Sequence, residues 1–382
     1  MQKSAKLLAL GDISLHGFSQ TQFKQSAAYI ALVQRLNGFD GVTLANLECP
    51  LTKSKNFNLN KYALHADPGL FSELPRIDLF SLSNNHIFDA LEQGVNDTIQ
   101  LLDEHKTNYF GYGQDLLEAR QPALIERNGI RLGFLGYSCL STNGQDYATP
   151  ERPGVCPLAI EHLQTDILRL KEKADHIIVV LHWGEEHVHY PTPDQIAVAH
   201  HAIDFGASVI IGTHAHAIQG IERYKDGFIC YSLGNFIFSN AESEELFEGK
   251  RVRRVVRLSR VNKESIGVEF AFEKDKVSLT SVRAFKLDKW FLPNEVHMNS
   301  LHTNLSKLNA RLVQYIEEKS DYLRKIKGPQ IIIKFSHGKC GNYYLLKPIY
   351  WSQTSVRWRA LKFLLANTLR RVTRLFLGLR GN

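Results

Sequence analysis

Five times along this chain a short apolar run stops abruptly at a cluster of carboxylate, amide or imidazole side chains. Lys6–Leu10 runs into Gly11-Asp12, Gly41–Leu47 into Glu48-Cys49-Pro50, and Leu79–Leu82 into Ser83-Asn84-Asn85-His86. Ile177–Leu181 ends at His182-Trp183-Gly184, and Ser208–Ile211 at Gly212-Thr213-His214, with His216 two residues on. A sixth run, Phe228–Ser232, delivers Leu233-Gly234-Asn235-Phe236. Runs this short and unbroken read as strands buried on both faces. Between them lie segments with helical spacing: Thr21–Leu36, Gly94–His105, Asp166–Ala174 and Asp194–Phe205. Alternating strands and helices predict an α/β core, and in such sheets ligands bind beyond the carboxyl ends of the strands. Five polar clusters placed there can converge on one site.

Each cluster alone has an ordinary structural explanation. Gly-Asp at a strand end is a common turn, Glu48 could be solvated, and His182 beside Trp183 could be a satisfied core histidine. Asn84-Asn85-His86 could be a loop tied by Asx turns. His214 and His216 would point to opposite sides of an extended segment, so a turn must bend both toward one centre. Together, however, Asp12, Glu48, Asn85, His182, His214 and His216 supply what a two-metal hydrolytic centre needs: carboxylates, one of them bridging, an amide oxygen and several imidazoles. Such donors suit Mn, Fe or Zn, and the absence of thiolate ligands argues against a purely structural zinc.

Composition narrows the class. The net charge of +7 is local: seven of the 46 Lys/Arg and none of the 39 Asp/Glu lie from Ser355 onward, so the rest of the chain balances. The charge is therefore no argument for nucleic-acid binding by the whole protein, and a nucleic-acid partner is not expected. Cys49, Cys139, Cys156, Cys230 and Cys340 are scattered, without a C-x-x-C pair. They read as thiols of a reduced compartment. The apolar run Leu7–Leu10 is too short for a signal-peptide core, and no run reaches eighteen apolar residues. A cytoplasmic protein is the expectation.

The motif set resembles the bacterial capsule-synthesis CapA family, or poly-γ-glutamate synthesis proteins, within the calcineurin-like metallophosphoesterase superfamily. The matching stretches are Leu10-Gly11-Asp12, Ala45-Asn46-Leu47-Glu48, Leu82–Asp89, Leu181–Glu186, Gly212–His216 and Tyr231–Phe236, in order and spacing from about Lys6 to Ser239. The resemblance implies a four-layer α/β/β/α sandwich with a C-terminal helical extension. It implies two divalent ions, one held by Glu48, Asn85, His182 and His214, the other by Asp12, His216 and the shared Glu48. Metal-activated water would attack, and His86 would be the general acid, with Asp89 setting its tautomer. Glu185, His187 and Asn235 would face substrate, His189 lying just beyond; a solvated loop is the competing reading for Glu185, His187 and His189.

Two positions depart from the superfamily. Ser14 stands where a histidine commonly follows the first aspartate, and His16 can replace that ligand only if the turn folds back. Asn46-Leu47-Glu48 replaces the second aspartate motif, as in the capsule family. Activity therefore cannot be inherited from the fold.

Beyond residue 275 the resemblance fades. The expected division is a 1–275 metallophosphoesterase-like domain, a 276–354 α+β extension and a basic amphipathic helix over 355–382. Ser300–Lys327 has helical spacing, Gln330–Phe335 reads as a strand, and Val356–Leu379 alternates Trp358, Leu361, Leu365 and Leu369 with Arg and Lys. That last helix fits either an anchor on an anionic membrane surface, at the inner face, or a helix packed on the body. The expected function is a metal-dependent hydrolase or transferase in surface-polymer synthesis, acting on a phosphoester or an amide-linked anionic polymer alongside synthase subunits. The alternatives are a non-catalytic assembly component of such a synthase, and a cytosolic nucleotide phosphodiesterase.

Overall fold

Two mixed sheets pack face to face, and helices cover their outer faces. The first sheet has the order Pro293–Val296, Lys276–Leu287, Glu264–Glu273, Ala5–Ile13, Val42–Leu47, Leu79–Ser81 and Asn108–Phe110, with Asn235–Ile237 pairing the far end of Ala5–Ile13. The second runs Ile221–Tyr224, Gly227–Cys230, Val209–Thr213, His176–His182, Ile130–Ser138 and Ala123–Arg127. In this computed structural model the described residues are 4–325 except 60, 143–145 and 248–249, all in one compact unit spanning Met1–Pro329. The expected Gln330–Phe335 strand and Val356–Leu379 helix lie outside the described residues. No helix among the described residues is long and apolar enough to cross a membrane.

The two-residue period of a strand explains the unbroken apolar runs. Leu7 and Ala9 face the second sheet, where they meet the core of Phe134, Val180 and Ile211. Leu8 and Leu10 face the other way, into a core with Leu32, Leu36, Val95 and Leu102 from the helices Ala27–Asn37 and Leu91–Glu104. On the outer face of the second sheet, Val179, Leu181 and Ile210 pack with Leu163, Ile167, Ile196 and Ala199 from Ile160–Leu170 and Pro193–Phe205. The expected α/β/β/α layering is the fold.

Three expectations change. The helix expected over Thr21–Leu36 is two, Gln20–Gln25 and Ala27–Asn37, because Ser26 turns extended and its side chain caps Tyr29 N at 3.2 Å. Asp12 is not in a turn: Ala5–Ile13 continues through it, with its register shifting beyond Ala9. The boundary expected at 275 falls in the turn of the antiparallel hairpin Glu264–Glu273/Lys276–Leu287, whose first strand pairs Ala5–Ile13. Residues 276–287 thus belong to the first sheet. Helix Leu305–Lys325 also joins the body, burying Leu305, Leu308 and Leu312 in the cores while Asn309 Oδ1 accepts from Ile221 N at 2.8 Å.

Candidate metal centre

Parallel pairing brings the clusters to one end. Ala5–Ile13, Val42–Leu47 and Leu79–Ser81 are mutually parallel, as are His176–His182 and Val209–Thr213. Their carboxyl ends deliver Asp12, Glu48 and Asn85 from one sheet and His182, His214 and His216 from the other. Glu48, His182 and His214 place one donor atom each within 4.8 Å of one another, and so do Asp12, Glu48 and His216. All five are buried. Glu48 belongs to both sets: its Oε1 is 3.7 Å from His182 Nε2 and 3.5 Å from His216 Nε2. Asn85 Oδ1 joins the first set, 2.7 Å from His182 Nε2.

Backbone geometry answers the question posed by Thr213-His214-Ala215-His216. His214 has φ 87° and His216 φ 52°, so the chain leaves the strand through left-handed conformations and swings both rings inward. Such conformations cost a non-glycine residue about 1–2 kcal/mol each. Close approach of main chains completes the frame. Asp12 N donates to Gly234 O at 3.0 Å, and a Cβ on Gly11 would lie 1.9 Å from that same oxygen.

Asn46, a motif residue to which the sequence assigns no role, aims the carboxylates. Its Nδ2 donates to Asp12 Oδ1 at 2.9 Å and Glu48 Oε2 at 3.3 Å. Asn84 holds Asn46 in turn, Nδ2 to Oδ1 at 3.1 Å. Asn84 Oδ1 also accepts from the N–H groups of His86 and Ile87, both at 3.0 Å, which is the expected Asx arrangement. The turn and the ligand are therefore neighbouring asparagines, Asn84 shaping the loop that presents Asn85.

Two buried ligand atoms, Glu48 Oε1 and His214 Nδ1, have no hydrogen-bond partner among the described residues. Burial raises the Asp12 carboxyl, and raises Glu48 well above its ordinary range with the Asp12 charge adding to it. Burial drives His182 far down and His214 to about 3, so both imidazoles are neutral. Orphaned donors, neutral imidazoles and two crowded carboxylates lacking a counter-cation fit a divalent ion.

The remaining predicted residues divide. His86 Nδ1 lies 2.6 Å from Asp89 Oδ2, as expected. Fully buried Asp89 also accepts from Leu64 N at 2.6 Å and pairs with Lys61, whose ammonium donates to the Asn85 carbonyl as well. Burial raises the Asp89 carboxyl, but His86 and Lys61 outweigh it and leave it below its usual range. Asn235 is not positioned for substrate. It is fully buried behind His216, its Oδ1 2.8 Å from His216 Nδ1 and its Nδ2 donating to Asn262 O at 3.0 Å. Because Oδ1 can only accept, Nδ1 carries the imidazole proton and Nε2 keeps its lone pair. Glu185 is exposed and outside both donor sets. The neighbouring Glu186 is exposed as well; desolvation raises its carboxyl, but the charges of His216, His214, His187 and His86 outweigh that and hold it low. His16 does not replace the missing ligand, since its ring nitrogens lie 2.8 Å from His65 O and 2.9 Å from Glu242 O.

Residues 6–240 match the family model of the bacterial capsule synthesis protein PGA_cap. The chain belongs to this capsule synthesis family. Among relatives it is 36% identical to the capsule biosynthesis protein CapA of Bacillus anthracis, over 42% of this chain and 40% of that one. It is 29% identical to the PGA biosynthesis protein CapA of Bacillus subtilis, over 60% and 62% respectively. A probable polyglutamine synthesis accessory protein of Mycobacterium tuberculosis is 31% identical over 54% and 58%. The match thus spans less than two thirds of the length of each of these relatives. Among solved structures the chain is similar to a putative 5′-nucleotidase from Staphylococcus aureus, with TM-score 0.45 and 15% identity, over 82% of this chain and 59% of that one. Both candidate donor sets, from Asp12 to His216, lie inside the matched residues, whereas the hairpin Glu264–Leu287 that flanks the first strand lies outside them.

Proposed function

We propose that this capsule-synthesis family member is a metal-dependent hydrolase or transferase acting on a phosphoester or an amide-linked anionic polymer in surface-polymer synthesis. The observation that carries the reading is the pair of buried donor sets sharing Glu48. Glu48, Asn85, His182 and His214 would hold one divalent ion, and Asp12, His216 and Glu48 a second. Divalent ions there would make a water acidic enough to attack at neutral pH and would neutralise developing negative charge. The protein's own groups do the rest. Asp89 accepts from His86 Nδ1, so the protonated ring presents Nε2–H to a leaving oxygen or nitrogen. Lys61 holds the Asp89 carboxylate and the Asn85 carbonyl together, fixing general acid and ligand loop as one unit. Asn46 keeps Asp12 and Glu48 turned toward the histidines.

The alternative, a non-catalytic assembly component, draws on Ser14 and on His16 being turned away, which leave the Asp12 set with three donors from His, Asp and Glu. Metal content of gently purified protein, beside a His182→Ala/His214→Ala variant, separates the two, with turnover of a generic phosphodiester as readout. Bound metal and turnover, both lost in the variant, are expected. Absence of both after addition of Mn or Zn would transfer the weight to the assembly role.

A further inference from the structure

Asn262 lies outside the family match, on a short turn at Val261–Lys263 just before the strand Glu264–Glu273, yet it reaches the centre. It is buried, and its Nδ2 donates to the carbonyl oxygen of His216 at 2.8 Å. That contact fixes the amide orientation, since a carbonyl can only accept. Oδ1 on the other side accepts from Ser259 Oγ at 2.6 Å. The second hydrogen on Nδ2 faces His187 Nδ1 at 3.1 Å. His187 Nδ1 must then be the accepting nitrogen, and a neutral His187 carries its proton on Nε2.

The backbone holds that ring where it is. His187 has φ 65°, a left-handed conformation, and its N–H donates to Ala215 O at 2.7 Å, inside the turn that carries His214 and His216. Its ring centroid is 6.1 Å from that of His216. Nε2 lies 3.9 Å from Glu186 Oε2, and the side chain is half exposed. A half-exposed ring tied at Nδ1 to a buried amide, with Nε2 on the side of Glu186, is a fixed hydrogen-bond donor next to His216.

We infer that Asn262 is a positioning residue that locks His187 as an Nε2–H donor to an anionic oxygen of the substrate, phosphoryl or carboxylate, beside the reacting bond. This deepens, and rests on, the reading of the cluster as a hydrolytic centre. It also gives His187 a task distinct from that of His86: His187 reads an oxyanion and transfers no proton.

The test uses the full chain labelled with 15N-histidine, and long-range 1H–15N correlations that report which ring nitrogen bears the proton. The His187 signals are assigned by their loss in His187→Gln. In the metal-free protein His187 should be protonated at Nε2 alone, and Asn262→Asp, which replaces the donor by an acceptor, should move the proton to Nδ1. A proton on Nδ1 in the parent, or no change in Asn262→Asp, overturns the inference whatever the metal does. Inorganic phosphate added to the parent and to Asn262→Asp, each at its own zinc saturation, should shift the Nε2 signal saturably, with affinity about five- to tenfold lower in the variant. A phosphate-insensitive Nε2 would also overturn it. Failure to take up zinc, by contrast, defeats the proposed function, while the tautomer result still decides the role of Asn262.

Discussion

The Nδ1 of His216 rests 2.8 Å from the side-chain oxygen of Asn235, so an amide buried behind the ring decides which imidazole nitrogen carries the proton. Asn235→Ala removes that acceptor and frees the ring to adopt the wrong tautomer. Outer partners of metal-binding histidines are worth about 10–100-fold in affinity. Zinc affinity measured by competition with a chelating dye should fall by that factor, while the metal-free protein loses about 1–3 kcal/mol of stability because the Asn262 carbonyl loses its partner. Unaltered zinc affinity would deny Asn235 this part.

Gly11 offers a prediction that needs no metal. A Cβ there meets the Gly234 carbonyl oxygen at 1.9 Å, a main-chain atom that cannot rotate away. Gly11→Ala should destabilise the fold by about 3 kcal/mol or more, read as a drop in the urea midpoint. Because Asp12 N bonds to that same oxygen, metal uptake should fall with it.

Lys61 tests the unit behind the general acid. Lys61→Met takes one cationic partner from the fully buried Asp89 and releases the Asn85 carbonyl. Turnover of a phosphodiester should fall about tenfold or more in kcat, and Lys61→Arg should recover part of it. Equal kcat in Met and parent would show that Asp89 and His86 keep their geometry unaided.

Glu264 sets an acid limit on stability. Its buried carboxylate accepts from His302 N at 2.7 Å, His302 Nδ1 at 2.7 Å and Thr303 N at 2.9 Å. Burial raises its carboxyl, but these hydrogen bonds outweigh it, and the folded value lies below the ordinary one. A depressed folded value means the contribution is fully present above the unfolded value of about 4.3 and is lost as pH falls through the folded one. Glu264→Gln should therefore cost about 1.5–3 kcal/mol at pH 7 in urea unfolding, with the gap to the parent closing below about pH 4.

The convergence of Asp12, Glu48, Asn85, His182 and His214 is legible in the sequence because each ends or follows a doubly buried strand, and such strands announce themselves as unbroken apolar runs. The supporting residues carry no such mark. Asn46 sits within a strand among apolar neighbours, and nothing local tells that its amide bridges two carboxylates. Asn235 follows a strand as the ligands do, so its position resembled that of a group facing substrate, and only its pairing with His216 shows otherwise. The second strand of the hairpin Glu264–Leu287 is hard to read from sequence because it is largely half-exposed and alternates polar with apolar residues, without the apolar run that marks the others.

Three donors come from each sheet, and no element of one sheet carries donors from the other. A divalent ion held by Glu48 with His182 and His214 would therefore be a clamp across the sandwich. Its binding and the closure of the two sheets would be linked, each stabilising the other by the same free energy. Divalent-ion supply would then govern how long the molecule survives, as well as whether it reacts. A chain short of metal would expose its inter-sheet core more often and be removed sooner by proteases.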